Sequence, residues 1–329
     1  MGFLASIFFG FAPMLAFAWF VYLLDRYEKE PKILLGVVFV WGALVAAGFA
    51  FIVNTTLGMG VYVVTNSEAI TEFATGSLIA PPVEEILKGL AVLVVFFIFR
   101  KEFDSVLDGI VYAGIVALGF AATENTYYIY NYGYLEEGWA GLFTLTFVRV
   151  ILVGWQHPFY TAFFGIGLAT ARLNRSIWVK LLAPTLGLFI GIVFHSLHNT
   201  LATVLDGLGG LIGGTLFDWG GWFFMFLVIL WAIRDVQKRV QTYLRADVQA
   251  GIITPRQYRT ACSSWAQAWA RTAALFSGQH RDTVRFYQLC GELAHKKYQY
   301  AHFGDEGGNL KIINQTEAEL AQLSPRARS

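Results

Sequence analysis

The chain has 329 residues, 56% of them hydrophobic and 14% charged, with formal net charge +1, and its mean hydropathy is +0.52. This balance excludes a soluble globular enzyme and a strongly basic nucleic-acid binder, and describes a polytopic membrane protein. Charge is split unevenly: residues 1–233 hold 10 Lys/Arg against 15 Asp/Glu, and residues 234–329 hold 14 against 8. The expected organisation is therefore a membrane domain over 1–233 and a basic, helical cytoplasmic tail over 234–329.

A membrane-crossing helix needs about 20 apolar residues. Runs of that kind fall at about 3–24, 33–53, 77–99, 107–130, 139–171, 177–202 and 213–233. The expected fold is all-α, a bundle of about seven transmembrane helices. The first run has no basic segment before it and no small-residue cleavage site after it, which favours a retained span over a signal peptide. Lys and Arg follow the first, third, fifth and seventh runs (Arg26, Lys29 and Lys32; Arg100 and Lys101; Arg172, Arg175 and Lys180; Arg234, Lys238 and Arg239), and the alternate connections have none. By the positive-inside rule the N-terminus lies outside and the C-terminus in the cytoplasm. Span 139–171 is long for one crossing, and Pro158 predicts a bend beside His157.

Charges inside these runs demand partners, because each costs roughly 2.5–3.5 kcal/mol at the bilayer centre. Pro81-Pro82-Val83-Glu84-Glu85-Ile86-Leu87-Lys88 is the densest case. Glu84 and Lys88 stand at i and i+4 and share a face, leaving Glu85 as the surplus acid; the two prolines predict a helix break just before them. Glu124 and Asn125 follow Gly119-Phe120, and His157 shares a face with Thr161 and Gly165. His195 and Asn199 continue a stripe begun by Gly187 and Gly191, a small-residue face suited to close helix approach. Counting 1.5 Å per residue places Glu84, Glu124 and His195 at one depth, in the extracytoplasmic half.

Two imidazoles and a carboxylate make a zinc site with an open position for water, and His157, His195 and Glu124 supply them. Glu84 or Glu85 is then the base, with Asn199, Lys88 or Arg149 near the oxyanion. A metal-free route, water activated by glutamate and histidine, uses the same residues. Each motif has a plainer reading: Glu84–Lys88 as a structural ion pair, Arg149 as a counter-ion, His198 as a packing donor, Asp104 and Asp108 as helix caps. A different class also fits the inventory, a proton-coupled transporter or sensor with these groups as a relay; clustering at one depth and the lack of an internal repeat speak against it.

Glu84-Glu85-x-x-Lys88, Gly119-Phe120-x-x-x-Glu124-Asn125, His157 with Thr161 and Gly165, and His195-x-x-x-Asn199, in this order over residues 10–235, resemble the PrsW intramembrane proteases, relatives of the CAAX prenyl endopeptidases and bacteriocin-processing enzymes. The resemblance implies an endopeptidase in a bacterial cell membrane that cuts a membrane-spanning protein near the extracytoplasmic side, with an anti-sigma factor as the family's substrate. It implies Glu84 and Glu85 as catalytic carboxylates, His195 with Asn199 as the last motif, and Glu124 and His157 as further site residues. A prenylated or leader peptide is the alternative substrate. The tail falls outside the resemblance; its basic excess suits anionic lipid headgroups better than nucleic acid. Cys262 and Cys290, without C-x-x-C spacing, imply a reducing compartment and no thiolate metal site.

Overall fold

The computed structural model describes residues 1–24, 29–205, 207–305 and 307–328. Arg26, one of the basic residues expected after the first span, lies outside the described residues, and so does the side chain of Lys101. Among the described residues the regular structure is entirely helical. The chain forms two compact units, Met1–Leu23 with Glu30–Ile229, and Leu24–Lys29 with Leu230–Ser329.

The first unit begins with α1 (Gly2–Leu24) and α2 (Lys32–Thr65), the latter containing a π-helical turn at Trp41–Ala46. A short α3 (Glu68–Phe73), capped by Ser67, leads through a second π turn, Ala74–Ile79, into α4 (Ala80–Ile98). The expected break at Pro81-Pro82 is replaced by this widened turn. The prolines occupy the first turn of α4, where no backbone N–H is required of them. Then come α5 (Val106–Tyr128), α6 (Leu135–Thr146), α7 (Gln156–Leu173), α8 (Ile177–Val204) and α9 (Gly207–Tyr243). Among the described residues, five continuous stretches are long and apolar enough to cross a membrane by length and composition: Gly2–Leu24, Lys32–Thr65, Val106–Leu173, Ile177–Val204 and Gly207–Gln249.

Helix α4 is absent from those five stretches although it matches the run 77–99. The runs 107–130 and 139–171 both fall inside Val106–Leu173, which the backbone divides twice. Gly138, with φ of 61°, turns the chain back so that Gly141 meets the carbonyl of Gly133. A second interruption at Val153–Trp155 ends the π turn Phe147–Leu152 and starts α7. The bend expected at Pro158 thus lies a few residues earlier, and Pro158 sits in the first turn of α7. Ser105 and Asp108 close the start of α5 with a reciprocal capping box, and Asp104 donates its N–H to Asp108 as well.

Helix α5 is the axis of the unit, buried along almost its whole length. Two glycine contacts hold its neighbours at backbone distance. A Cβ on Gly109 would stand 2.3 Å from the carbonyl oxygen of Gly165 in α7, and one on Gly119 would stand 2.0 Å from that of Phe39 in α2. On α8 the buried residues are Gly187, Gly191 and His195, and the two glycines rest on the carbonyls of Phe163 and Tyr160. The predicted small-residue stripe is therefore the face that α8 turns to α7.

The second unit contains α10 (Arg245–Gln249), α11 (Pro255–Ala261), α12 (Ser264–Leu275), α13 (His280–Phe303) and α14 (Asn309–Leu323), together with α9 from Leu230. Val240, Leu244, Ile253, Phe286, Tyr287, Leu293 and Leu320 form its core. Lys297 ties this core to two acids, Asp247 at 2.6 Å and Glu317 at 2.7 Å. The two cysteines are free and buried.

Candidate active site

Glu84, Glu85, Lys88, Glu124, His157 and His195 converge from α4, α5, α7 and α8, and all but Glu124 are buried. Asn199 lies one turn beyond His195 on α8. Its amide donates to the carbonyl of Gly76 at 2.8 Å and ties α8 to the π turn before α4.

The pairing within α4 differs from the expected one. Lys88 takes Glu85, three residues away, at 2.5 Å, and Glu84 is left as the surplus acid. Both spacings lie within reach on a helix, so the neighbours decide. Thr161 donates to Glu85 Oε2 at 2.8 Å and His195 Nδ1 lies 3.0 Å from Glu85 Oε1, which hold that carboxylate on the inner face. Asn54 Nδ2 donates to Glu84 Oε1 at 3.3 Å, while Glu84 Oε2 is buried without a hydrogen-bond partner and lies 3.8 Å from His195 Nε2.

Each histidine is oriented by an acid. His195 donates from Nδ1 to Glu85, which leaves the Nε2 lone pair directed toward Glu84. His157 donates from Nε2 to Glu124 Oε2 at 2.8 Å, and its Nδ1 lies 3.3 Å from Lys88 Nζ. The two rings stand 5.2 Å apart and nearly perpendicular. The same oxygen of Glu124 is held by Arg149, whose Nη2 lies 2.5 Å away and whose Nε donates to Asn125 at 2.9 Å. Arg149 also lies over the ring of Tyr128, and Lys88 over that of Phe120. Formally, three carboxylates face two cations.

This geometry suits a metal ion. One ligand atom each from Glu84, His157 and His195 lie within 4.8 Å of one another. An unpartnered carboxylate oxygen beside an imidazole lone pair is what a cation would satisfy, and carboxylates on the far nitrogens are the usual support of metal-binding histidines. Two imidazoles and one carboxylate suit zinc. Spacing groups Glu124 with the histidines; in the structure Glu124 lies on Nε2 of His157, and the three ligand atoms brought together are those of Glu84, His157 and His195. Helical counting assigns depth but cannot tell which acid meets which ring nitrogen.

A second polar layer was not anticipated. Asp218 of α9, fully buried, accepts from the Tyr160 hydroxyl at 2.9 Å and pairs with His198 Nδ1 at 3.0 Å. The Tyr160 ring stacks on His195 with centroids 4.8 Å apart. A signal was present in the sequence, since Asp218 is the one charged residue between Gly207 and Ile233. Asn54 lies one residue beyond the apolar run 33–53, and α2 continues past it to Thr65.

Glu84 and Glu124 open onto a cavity of about 980 Å³ between α2, α3, α4 and α5. Its wall is partly small, with Ala47, Gly48 and Gly58, and partly aromatic, with Tyr62, Tyr127, Tyr128 and Tyr132. The site thus has acids, oriented histidines and an adjoining cavity lined by two of the acids.

A model of the family described as PrsW family intramembrane metalloprotease matches residues 30–233. Curated relatives named Protease PrsW from Geobacillus kaustophilus, Oceanobacillus iheyensis and Bacillus subtilis are each 28% identical to the chain. The alignments span 72%, 68% and 68% of this chain and 92%, 90% and 88% of the respective relatives. No solved structure matches significantly. The matched segment covers more than half of the chain and carries every residue of the site, so the chain belongs to the PrsW family of intramembrane metalloproteases.

Proposed function

We propose that this protease cuts a single-span membrane protein, an anti-sigma factor in the simplest case, with the strand to be cut lying in the cavity between α2 and α5. Family membership sets aside the transporter reading. The observation that carries the assignment is Glu84 Oε2, buried without a partner at the floor of the cavity and facing His195 Nε2. The orientation follows from charge alone: N-terminus outside, residues 234–329 a basic cytoplasmic tail, and the site in the extracytoplasmic half of a bacterial cell membrane.

Glu84, His157 and His195 would hold zinc. Bound there, zinc would polarise the scissile carbonyl and favour hydroxide over water at neutral pH. Glu85 fixes His195 in the tautomer whose Nε2 is free, and Glu124 does the same for Nδ1 of His157. Lys88 donates to that Nδ1 in this structure, so binding of an ion requires Lys88 to retain Glu85 alone. Glu124, a fifth exposed and open to the cavity, is the acid placed to take the proton of the attacking water and return it to the leaving amine. Arg149 beside it offsets charge on the tetrahedral intermediate. Relative to the spacing argument, Glu84 and Glu124 exchange roles.

Metal content separates the two assignments. Purified Glu124→Gln should retain about one zinc and lose cleavage, and Glu84→Gln should lose both. Zinc retained in Glu84→Gln and lost in Glu124→Gln would restore the earlier grouping. Cleavage surviving in both variants would remove these acids from the chemistry.

A further inference from the structure

We propose that α12, with Phe276, is a docking surface for an anionic lipid bilayer. The helix is amphipathic in the reverse sense. Its buried residues are Gln267, Ala270 and Ala274, and its outward stripe is aromatic. Trp265, Trp269 and Phe276 are 70%, 62% and 89% exposed, with Ala268, Thr272 and Leu275 exposed between them. Positions 265, 269, 272 and 276 recur at helical spacing, so the three large rings share one face. The indoles of Trp265 and Trp269 are in edge contact, their centroids 6.1 Å apart. A contiguous outward aromatic patch of this kind marks an interaction surface.

Charge identifies the occupant. No Asp or Glu occurs between Asp247 and Asp282, whereas Arg256, Arg259, Arg271 and Arg281 do. Arg256, Arg259 and Arg281 are exposed. An aromatic stripe in a chain segment whose charged side chains are all arginines suits the headgroup region of anionic lipids, where Trp partitions by its amphipathic ring and Arg by charge. A bilayer is close along the chain, because α9, whose apolar part is long enough to cross a membrane, continues directly into this unit. Protein partners selected by these arginines would have to bring acids and an apolar groove together; the bilayer supplies both at once.

The test uses the full-length protein with a single environment-sensitive fluorophore on Ala268→Cys, and a control label on Ala321→Cys, exposed on α14. Cys262 and Cys290 are buried, so unsubstituted protein serves as the labelling blank. In nanodiscs containing one-third phosphatidylglycerol, the label at 268 should be blue-shifted and quenched several-fold by nitroxide lipids. The label at 321 should be neither. Pure phosphatidylcholine should weaken the quenching at 268, and Trp265→Gln with Trp269→Gln and Phe276→Gln should abolish it. Water-like emission at 268 in both lipids would overturn the proposal. So would a blue shift that persists in detergent and grows with protein concentration, which would make the occupant a second copy of the chain. The lipid exchange is read in the aromatic-intact protein, so the outcome stands even if the triple variant folds poorly.

Discussion

Gly165→Ala tests whether the site depends on the backbone contact between α5 and α7. An ideal Cβ at Gly165 would lie 2.0 Å from the carbonyl oxygen of Gly109 and 2.6 Å from its carbonyl carbon, with Cβ of Ala113 at 3.0 Å. These are backbone or backbone-anchored atoms and cannot swing aside. Ordinary contact begins at 3.4 Å, so the helices must separate by about 1.4 Å at the crossing. Thr161, which holds Glu85, lies one turn away, roughly 6 Å along the axis, and His157 lies one further turn on. Overpacking of this kind costs about 1–3 kcal/mol, and a displacement on the order of 1 Å of reacting groups can cost about 10²-fold in rate. Cleavage of a reporter substrate in nanodiscs should therefore fall by about one to two orders of magnitude, with a lowered unfolding temperature for the same sample. Full activity with unchanged thermal stability would refute the close crossing. As a control, Gly48→Ala, where an added Cβ meets nothing within 4 Å, should leave stability unchanged.

Other perturbations address the supporting groups. Asp218→Ala leaves the Tyr160 hydroxyl and His198 without their buried acceptor, at about 1–3 kcal/mol for each, and should slow cleavage while zinc content stays constant. Loss of zinc in that variant would place Asp218 in direct support of the ion. Glu85→Gln removes the charge that orients His195 and should weaken zinc about 10- to 100-fold, measured by competition with a chromophoric chelator. Unchanged affinity would detach Glu85 from that role. In the second unit, burial pushes the Cys290 and Cys262 thiols above their ordinary value of 9.0. Above that pH the unfolded chain loses thiol protons that the folded unit keeps, so the unit should lose stability as pH rises past 9 and resist alkylation until it unfolds. Rapid labelling of the folded protein at neutral pH would contradict the burial.

Much of this site was legible because water is absent from the bilayer core: a charge there has to be met by another, and so Glu84, Glu85, Lys88, Glu124, His157 and His195 could be picked out of apolar runs. Their pairing was not legible. Lys88 at three or four residues from two adjacent acids is ambiguous on a helix, and the choice is made by Thr161, His195 and Asn54 on other helices. Asn199 illustrates the opposite limit. Sharing a stripe with His195 guarantees a common face, but Asn199 lies one turn further and meets the π turn at Gly76. The reversal at Gly138 falls where the runs 107–130 and 139–171 are already divided, whereas the interruption at Val153–Trp155 is hidden because apolar content surrounds it.

The burial of three charges on α4 also bears on biogenesis. Glu84, Glu85 and Lys88 each add roughly 2.5–3.5 kcal/mol to the cost of leaving the translocon alone, so α4 is a poor membrane segment when it is made. Within α4 Lys88 offsets Glu85, but the other groups that hold Glu85, Thr161 and His195, are synthesised more than 70 residues later. The burial of Glu85 on α4 thus depends on side chains of α7 and α8. A chain stopped before α8 would lack His195 beside Glu85, so the residues that converge at the candidate site also couple the burial of α4 to completion of the bundle.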